Sequence, residues 1–389
     1  MHAEPTTWYG RLRQRWVDRA VQRMYERLRG DPGSFRTSPS TRAAVALAVV
    51  VIAVALGFVG FLVWATLHAH TSVEWGLVAL GWAVVVLARP RVVRLPDDAT
   101  VLGREEYPAL HRVVEEMSEA VGAKAPAVLA VDLDFNAYVT SVGRPLRRRS
   151  AMVLGLPMMS LPSWSVRLGV IGHEAGHLRG RDTVRNRLFG TADSVLGTAR
   201  QLLTPGDDLD AEESWYGDSD AAAARAAAPM VRVILGVLAA PFHAVALLLD
   251  RLTVNEGQHR EYLADRRSAQ VVGSAASVGF LLEADEGLAT VVGAAARRGE
   301  DPFGVLLDRP PMTAEQRSRR LGALAAERIR ADSSHPPTHL RVRLVDEARL
   351  VPGSGMPDGA TLAAAEAELV RLRGERRREL ADLFRTGLA

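Results

Sequence analysis

The segment His-Glu-Ala-Gly-His at positions 173–177 holds the residues whose types and spacing are best suited to chemistry. His173 and His177 are four residues apart, so on a helix both imidazoles project from one face and can bind the same zinc ion. Glu174 stands next to the first ligand, where it could act as a general base toward a water molecule that the metal activates. A buried helix with two hydrogen-bonded histidines is the alternative interpretation.

A catalytic zinc site needs a third protein ligand, and the sequence offers several candidates. In the longer pattern that ends in a third His, the required position is occupied by Thr183, so that class of site is excluded. A Glu from a later helix is the other common solution, and the candidates are Glu256, His259 and Glu261. Glu261 and Asp265 lie four residues apart, which suits Glu261 as a ligand and Asp265 as the hydrogen-bond acceptor for a ligating His. A pair of exposed acids balanced by neighbouring arginines explains these two residues equally well.

The composition narrows the chemistry further. The 389 residues include no Cys and a single Lys, Lys124. Disulfides, Cys-ligated metals and a thiol nucleophile are therefore excluded, and the Gly-Lys-Ser/Thr phosphate-binding loop is absent. Any metal site must use His, Asp or Glu.

The elements that must position these residues have the pattern of an α+β protein. A helical period covers 107–121, strands are predicted over 127–140 and 151–156, and the helix with the two His is predicted from 162 to about 188. A further helix is predicted over 254–287. We therefore expect a mainly helical core with a small β-sheet.

Apolar residues are concentrated ahead of this core. Residues 43–67 carry no charge and are long enough to cross a bilayer core of about 30 Å. A second apolar run, 75–88, follows after a short connector, and Trp75 and Trp82 suit the membrane interface. The two runs predict a transmembrane helical hairpin over 43–89. The alternative for the shorter run is a buried core helix.

The arginines predict the orientation of this hairpin. Nine Arg precede the first run, the connector has none, and Arg89, Arg91 and Arg94 follow the second run. By the positive-inside rule both ends lie in the cytoplasm. We expect a multi-pass protein of the cell inner (plasma) membrane with its soluble part facing the cytoplasm. The pI of about 9.6 then reflects arginine near the membrane, and no nucleic-acid partner is expected.

The N-terminal segment has an apolar stripe at helical spacing, with arginines on the other faces. The stripe consists of Trp8, Leu12, Trp16, Ala20, Met24 and Leu28. Two interpretations remain open, a helix lying on the anionic inner leaflet or a helix docked on the soluble part of the same chain. The helix predicted near the C-terminus is charged and amphipathic, which is typical of a surface helix or a partner-binding face.

The predicted organisation has seven parts. They are an Arg-rich amphipathic segment (1–42), the transmembrane hairpin (43–89), the first part of the core (95–203), an acidic linker (204–228), a membrane-embedded or re-entrant helix (229–250), the second part of the core (251–350) and a C-terminal amphipathic helix (351–389).

Four ordered motifs resemble a known family. They are His-Glu-Ala-Gly-His with Asp182 five residues later, Arg-Glu-Tyr-Leu-Ala-Asp at 260–265, Phe-Asn-Ala-Tyr at 135–138 and His-Pro-Pro-Thr-His-Leu-Arg at 335–341. Together they resemble the membrane zinc endopeptidases that include the heat-shock protease HtpX and the CAAX prenyl proteases. The resemblance implies a gluzincin-like zincin core with one Zn²⁺ per chain.

The resemblance also implies residue roles. His173, His177 and Glu261 would hold the zinc ion, with Asp265 and Asp182 supporting these ligands. A strand edge at Asn136, Ala137 and Tyr138 would pair with an extended substrate peptide. His335 and Arg341 would contact the substrate backbone or stabilise the tetrahedral oxyanion.

A shared zinc ion constrains the topology. His173 and Glu261 must lie on the same side of the membrane, although the apolar stretch 229–250 lies between them. Either the weaker segment 188–203 also inserts, or 229–250 does not fully cross. Pro241 and His243, which interrupt the stretch, favour a re-entrant or core-packed form.

The leading hypothesis is a membrane-anchored zinc endopeptidase that cleaves membrane-associated or misfolded proteins at the cytoplasmic face. Its partners would be the lipid bilayer and protein or peptide substrates. A non-proteolytic membrane adaptor with a structural zinc site is the first alternative, and a membrane-surface scaffold is the second. Glu174 argues against the adaptor, because a structural site has no need for a base.

Overall fold

The computed structural model describes residues 21–30, 39–88, 93–144, 147–179, 182–203, 218–283, 287–326 and 336–386. The helices are α1 (21–30), α2 (Pro39–His68), α3 (Ser72–Ala88), α4 (Pro108–Val121), α5 (Trp164–Leu178), α6 (Asp182–Leu203), α7 (Asp218–Val272), α8 (Ser274–Glu283), α9 (Gly287–Arg298), α10 (Gly304–Leu307), α11 (Ala314–Ala326), α12 (Thr338–Glu347) and α13 (Gly359–Thr386). The strands are β1 (Thr100–Val101), β2 (Val128–Asp132), β3 (Ala137–Val142) and β4 (Arg149–Gly155). The predicted α+β class is confirmed.

The described residues fall into two compact units. The first, here called the sheet unit, lies within Met1–Arg36, Val92–Thr183 and Gly257–Ala389. The second, here called the helical unit, lies within Thr37–Arg91 and Val184–Glu256.

The sheet has the order β1-β2-β4-β3, with β2 parallel to β4 and the other pairs antiparallel. The strand predicted over 127–140 is in fact two strands, because the chain turns between β2 and β3. The Asp132 carboxylate accepts a hydrogen bond from the Asp134 amide in this turn. The turn also packs on Gly155, where an added Cβ would collide with the carbonyl oxygens of Asp134 and Asn136. This last contact is long-range, so hydrophobic periodicity did not reveal it.

The core of the sheet unit surrounds α5. Its fully buried members include Leu110, Met117, Met152, Leu154, Ile171, Leu281, Leu369, Leu372 and Leu380. The last three belong to α13, so this helix is an integral part of the core as well as a surface element. Glu368 on α13 also accepts hydrogen bonds from the first amides of α4, those of Ala109 and Leu110. These amides have no partner within their own helix.

Two predicted helices are interrupted in the structure. The helix expected to run to about 188 ends at Leu178, Arg179 is extended, and α6 begins at Asp182. The helix expected over 254–287 changes direction at Gly273, which separates α7 from α8 with a φ of 84°. This left-handed conformation favours glycine, so the residue type carried the signal for the break.

The helical unit exposes much of its apolar surface. By length and composition, Ser40–His68 and Val233–Val272 could each cross a membrane, and α3 is a shorter apolar helix. The α2 and α3 helices contact each other, and the Trp82 indole nitrogen donates a hydrogen bond to the Thr66 hydroxyl at 3.0 Å. A buried cluster in this unit joins α2, α6 and α7 through residues such as Ala48, Phe189, Leu196 and Leu249.

The α7 helix continues through Pro241 and His243 without interruption. One proline removes a single backbone hydrogen bond and need not end a long helix, although it can kink one. How residues 229–250 lie relative to a bilayer stays a prediction.

Candidate metal centre

The α5 helix places the imidazoles of His173 and His177 next to each other. The Nε2 atoms of His173 and His177 are 3.2 Å apart, and their rings are nearly perpendicular. The apolar residues that precede them on α5, including Val170 and Ile171, are buried in the core and fix the rotation of the helix.

Glu261 on α7 completes the group. Its Oε2 lies 3.5 Å from His173 Nε2, and its Oε1 lies 3.4 Å from His177 Nε2. Four-coordinate zinc with bonds of about 2.0–2.1 Å places its ligand atoms about 3.3 Å apart, so the three donors fit such an ion. Among the described residues, this is the one group of three His, Asp or Glu that could hold a metal. His259 is not part of it, and the side chain of Glu256 lies outside the described residues.

Small residues let α5 and α7 approach each other at this point. A Cβ added to Gly172 would lie 2.9 Å from the Ser268 Oγ, and one added to Gly176 would lie 2.9 Å from the Ala264 Cα. Arg267 also donates a hydrogen bond to the Gly176 carbonyl at 2.7 Å. The two glycines by themselves indicate a close approach, and the small residues Ala264 and Ser268 repeat their four-residue spacing on the partner helix.

Asp265 and Arg341 are both buried beside the three donor residues. Both Asp265 oxygens accept hydrogen bonds of 2.7 Å from the Arg341 guanidinium. Asp265 Oδ1 also lies 2.8 Å from His173 Nδ1, although the ring N–H is not well aligned with it. Arg341 Nη2 lies 3.4 Å from Glu261 Oε2. These contacts restrict how the His173 ring and the Glu261 carboxylate can move.

The electrostatics of the site favour a cation. Burial disfavours a charged His173, but Asp265 and Glu261 outweigh this effect and raise its pKa to about 10. Burial and the neighbouring His173 lower the pKa of His177 to about 3. Burial opposes ionisation of Asp265, yet Arg341 keeps the pKa of that carboxyl below its usual value. A metal ion would take the place of the proton that the two carboxylates attract to His173.

Of the other predicted site residues, Glu174 lies on α5, and the proposed peptide-binding residues lie at the start of β3. Glu174 is buried on α5 directly after the first histidine. Ala137 and Tyr138 begin β3, the last strand in the sheet order, and Asn136 precedes it and accepts a hydrogen bond from the Gly155 amide at 2.8 Å.

For Asp182 and His335, the structure describes no side chain. Asp182 begins α6, but its side chain lies outside the described residues, as does the whole of His335. Arg341 is buried against Asp265, a partner that the sequence analysis did not assign to it. Its predicted role toward substrate stays a prediction.

Comparison with known proteins gives a consistent result. A family model described as Peptidase family M48 matches residues 104–349. Similar curated proteins include a "Protease HtpX homolog" from Pyrococcus abyssi, 32% identical over 177 residues, and one from Pyrococcus furiosus, 33% identical over 178 residues. Each match covers 45% of this chain and 55% of the relative, so the chain spans about half the length of these relatives.

A third curated relative is matched over a longer stretch. The "Protease HtpX homolog" from Acidiphilium cryptum is 27% identical over 230 residues, which is 58% of this chain and 71% of that protein. No solved structure matches the chain.

Proposed function

The chain belongs to peptidase family M48, and from that premise we propose that it is a membrane-anchored, zinc-dependent endopeptidase. The observation that carries the proposal is the convergence of His173, His177 and Glu261, with the buried Glu174 next to the first of them. Two neutral imidazoles and one carboxylate are a donor set typical of catalytic zinc sites, which leave one position open.

The side chains of this site have complementary roles in peptide hydrolysis. Zinc, when bound, acts as a Lewis acid and makes water easier to deprotonate. Glu174 accepts a proton from the attacking water and passes it to the leaving amine nitrogen. Asp265 holds His173 in place and is itself held by Arg341. Arg341 Nη2 stays within 3.4–3.5 Å of the donor atoms, where its charge could also stabilise a tetrahedral oxyanion, together with His335.

We propose that an extended substrate peptide pairs with β3. Within the described residues, β3 has a neighbouring strand on one side only, and Val93 forms a bridge with Gly143 just beyond its end. The α5 helix also contacts β3. Addition of a strand to such an edge satisfies backbone hydrogen bonds of the substrate without regard to its sequence.

We also propose a location for this activity. The exposed apolar side chains of α2 and α3 support a transmembrane hairpin, and the distribution of Arg supports a cytoplasmic orientation in the cell inner membrane. Membrane-associated or misfolded proteins near the inner leaflet are then the substrates within reach.

The full chain, purified in detergent, allows a direct test. We expect one zinc per chain by elemental analysis and cleavage of casein by the wild type. Glu174→Gln should keep the zinc and lose about 10²- to 10⁴-fold of the hydrolysis rate, because the base is removed and the ligands remain. Glu105→Gln, an exposed position on the sheet unit, is the matched control and should change neither.

The other hypotheses predict different results. Bound zinc without activity of the wild type on casein or on any tested membrane protein would favour the adaptor with a structural site. A chain that binds no zinc would contradict the proposal and favour the membrane-surface scaffold.

A further inference from the structure

The α1 helix lies outside the family-matched residues 104–349 and presents one apolar face. Val21, Tyr25 and Leu28 follow helical spacing and are almost completely buried, whereas Gln22 and Glu26 are exposed. Leu28 belongs to the stripe that the sequence assigned either to a bilayer or to the chain itself, and so does Met24, which is half-buried beside this face. In the structure both residues pack on the chain.

The residues under α1 are the immediate neighbours of the metal centre in the sequence. The apolar face packs on Tyr262 and Leu340, which are both buried, and Leu344 adds to the cluster. Tyr262 directly follows Glu261, and Leu340 directly precedes Arg341. Because successive residues on a helix point about 100° apart, fixing one side chain fixes the direction of the next.

Two polar contacts set the register of α1 on this surface. The Arg29 Nε lies 2.7 Å from Glu347 Oε2 at the end of α12, and the Arg343 guanidinium lies over the Tyr25 ring at 5.7 Å from its centre. The ion pair is exposed, so it adds little binding energy. The stabilisation of the docked helix therefore comes from the buried apolar face.

The tyrosine hydroxyls are not what holds the contact together. Within the part of the chain that the structure describes, neither the Tyr25 nor the Tyr262 hydroxyl has a hydrogen-bond partner, although both are buried. The rings must therefore supply the stabilising contact, and removal of the Tyr25 hydroxyl should leave that contact intact.

We infer that α1 is a positioning element of the metal centre, in which Tyr25 holds Tyr262 on α7 and Leu340 on α12 so that Glu261, Asp265 and Arg341 keep their mutual geometry. The inference rests on the proposed function, since it takes zinc as the ion that these residues serve. It assigns to this N-terminal segment a role inside the sheet unit that is independent of any membrane contact.

The test measures zinc release from the full chain to a chromophoric chelator, below the unfolding temperature of every variant. Tyr25→Ala should accelerate release by about 10- to 100-fold, the usual effect of losing support for a zinc ligand. It should also change the visible spectrum of the Co²⁺-substituted protein, which reports ligand geometry, and lower kcat more than it changes KM. If Tyr25→Ala does not fold, Leu28→Ala tests the same contact.

Three controls separate positioning from general stability. Tyr25→Phe keeps the ring and should behave as the wild type, and Gln22→Ala changes only the exposed face of α1. Leu380→Ala truncates a core residue on α13 and should lower the unfolding temperature without accelerating zinc release.

The outcomes are distinguishable. Release from Tyr25→Ala at the wild-type rate would overturn the inference, and a rise in its activity would overturn it in favour of an autoinhibitory role for α1. A wild type that holds no zinc would instead contradict the proposed function itself.

Discussion

The two units of the chain place polar and apolar side chains in opposite ways. In the sheet unit, His173, Glu261 and Arg341 are all buried, and each lies against a partner of complementary charge or hydrogen-bonding character. In the helical unit, Val54 and Leu67 are 67% and 75% exposed. Burial of charge is tolerated where the charges are paired, whereas a contiguous exposed apolar surface is typical of contact with a membrane or a partner protein. The exposed helices of the helical unit therefore favour membrane association, whereas the sheet unit encloses a polar site.

The largest expected effect tests the pairing of buried charge. Asp265→Ala leaves the Arg341 guanidinium buried without its main partner, and should lower the free energy of unfolding by about 3–5 kcal/mol. Denaturant unfolding of the metal-free protein measures it. Glu300→Ala, which breaks the exposed pair with Arg298, should cause no measurable change. Equal effects would show that the buried pair has no special role.

The next effect tests the apolar surface of the helical unit. Val237 on α7 is 68% exposed and Val351 in the sheet unit is 78% exposed, so the same substitution can be compared at two similar exposures. Val237→Asp should cost about 2.5–3.5 kcal/mol of membrane insertion. The fraction of chain that resists alkaline extraction from membranes should then fall. Val351→Asp should leave that fraction unchanged, and if Val237→Asp also does so, this face of α7 lies in water.

Glycines in the two units should respond with opposite signs. Gly176→Ala forces a methyl group against Ala264 and should lower stability by about 2 kcal/mol, in line with other overpacked cores. An added Cβ at Gly236 on α7 would meet no described atom within 4 Å, so Gly236→Ala should be neutral or raise stability by up to about 1 kcal/mol. Thermal unfolding in one detergent measures both variants. A stable Gly176→Ala protein would contradict the close helix approach.

The smallest effect concerns Asp132, a buried acid that has no cationic partner among the described residues. Burial, with the negative charges of Asp134 and Asp98, raises the pKa of Asp132 to about 6 from a reference value of 3.8. The folded state therefore binds this proton more tightly than the unfolded state. Ionisation of Asp132 therefore lowers the stability of the fold. This loss of stability is absent below about pH 4, grows toward pH 6 and is complete above pH 6.

Asp132→Asn removes this loss of stability. Above pH 6 it should be more stable than the wild type by on the order of 1–2 kcal/mol, and the difference should vanish near pH 4. Denaturant unfolding at several pH values measures the trend. A pH-independent difference would mean that ionisation of Asp132 is not its origin.

Elements with strong local patterns could be predicted from the sequence, whereas interruptions that depend on long-range contacts could not. The α4 and α2 helices were expected close to their observed bounds, because their side-chain patterns repeat within the element itself. The turn between β2 and β3 was missed, since it depends on Gly155 from a strand formed later in the chain. The re-entrant or core-packed form expected from Pro241 and His243 stays a prediction, and α7 is helical through both residues.

Local patterns along the chain specify the kind of site. Two histidines at helical spacing, a glutamate between them and the absence of Cys specify the ligand chemistry, because these features lie within one turn of helix or in the composition. The three-dimensional fold brings Glu261 to these histidines and Arg341 to Asp265, and it packs α1 on the residues next to Glu261 and Arg341. Each of these contacts joins segments far apart in the chain, and their pairing is set by close packing of glycines and apolar faces, which no local spacing encodes.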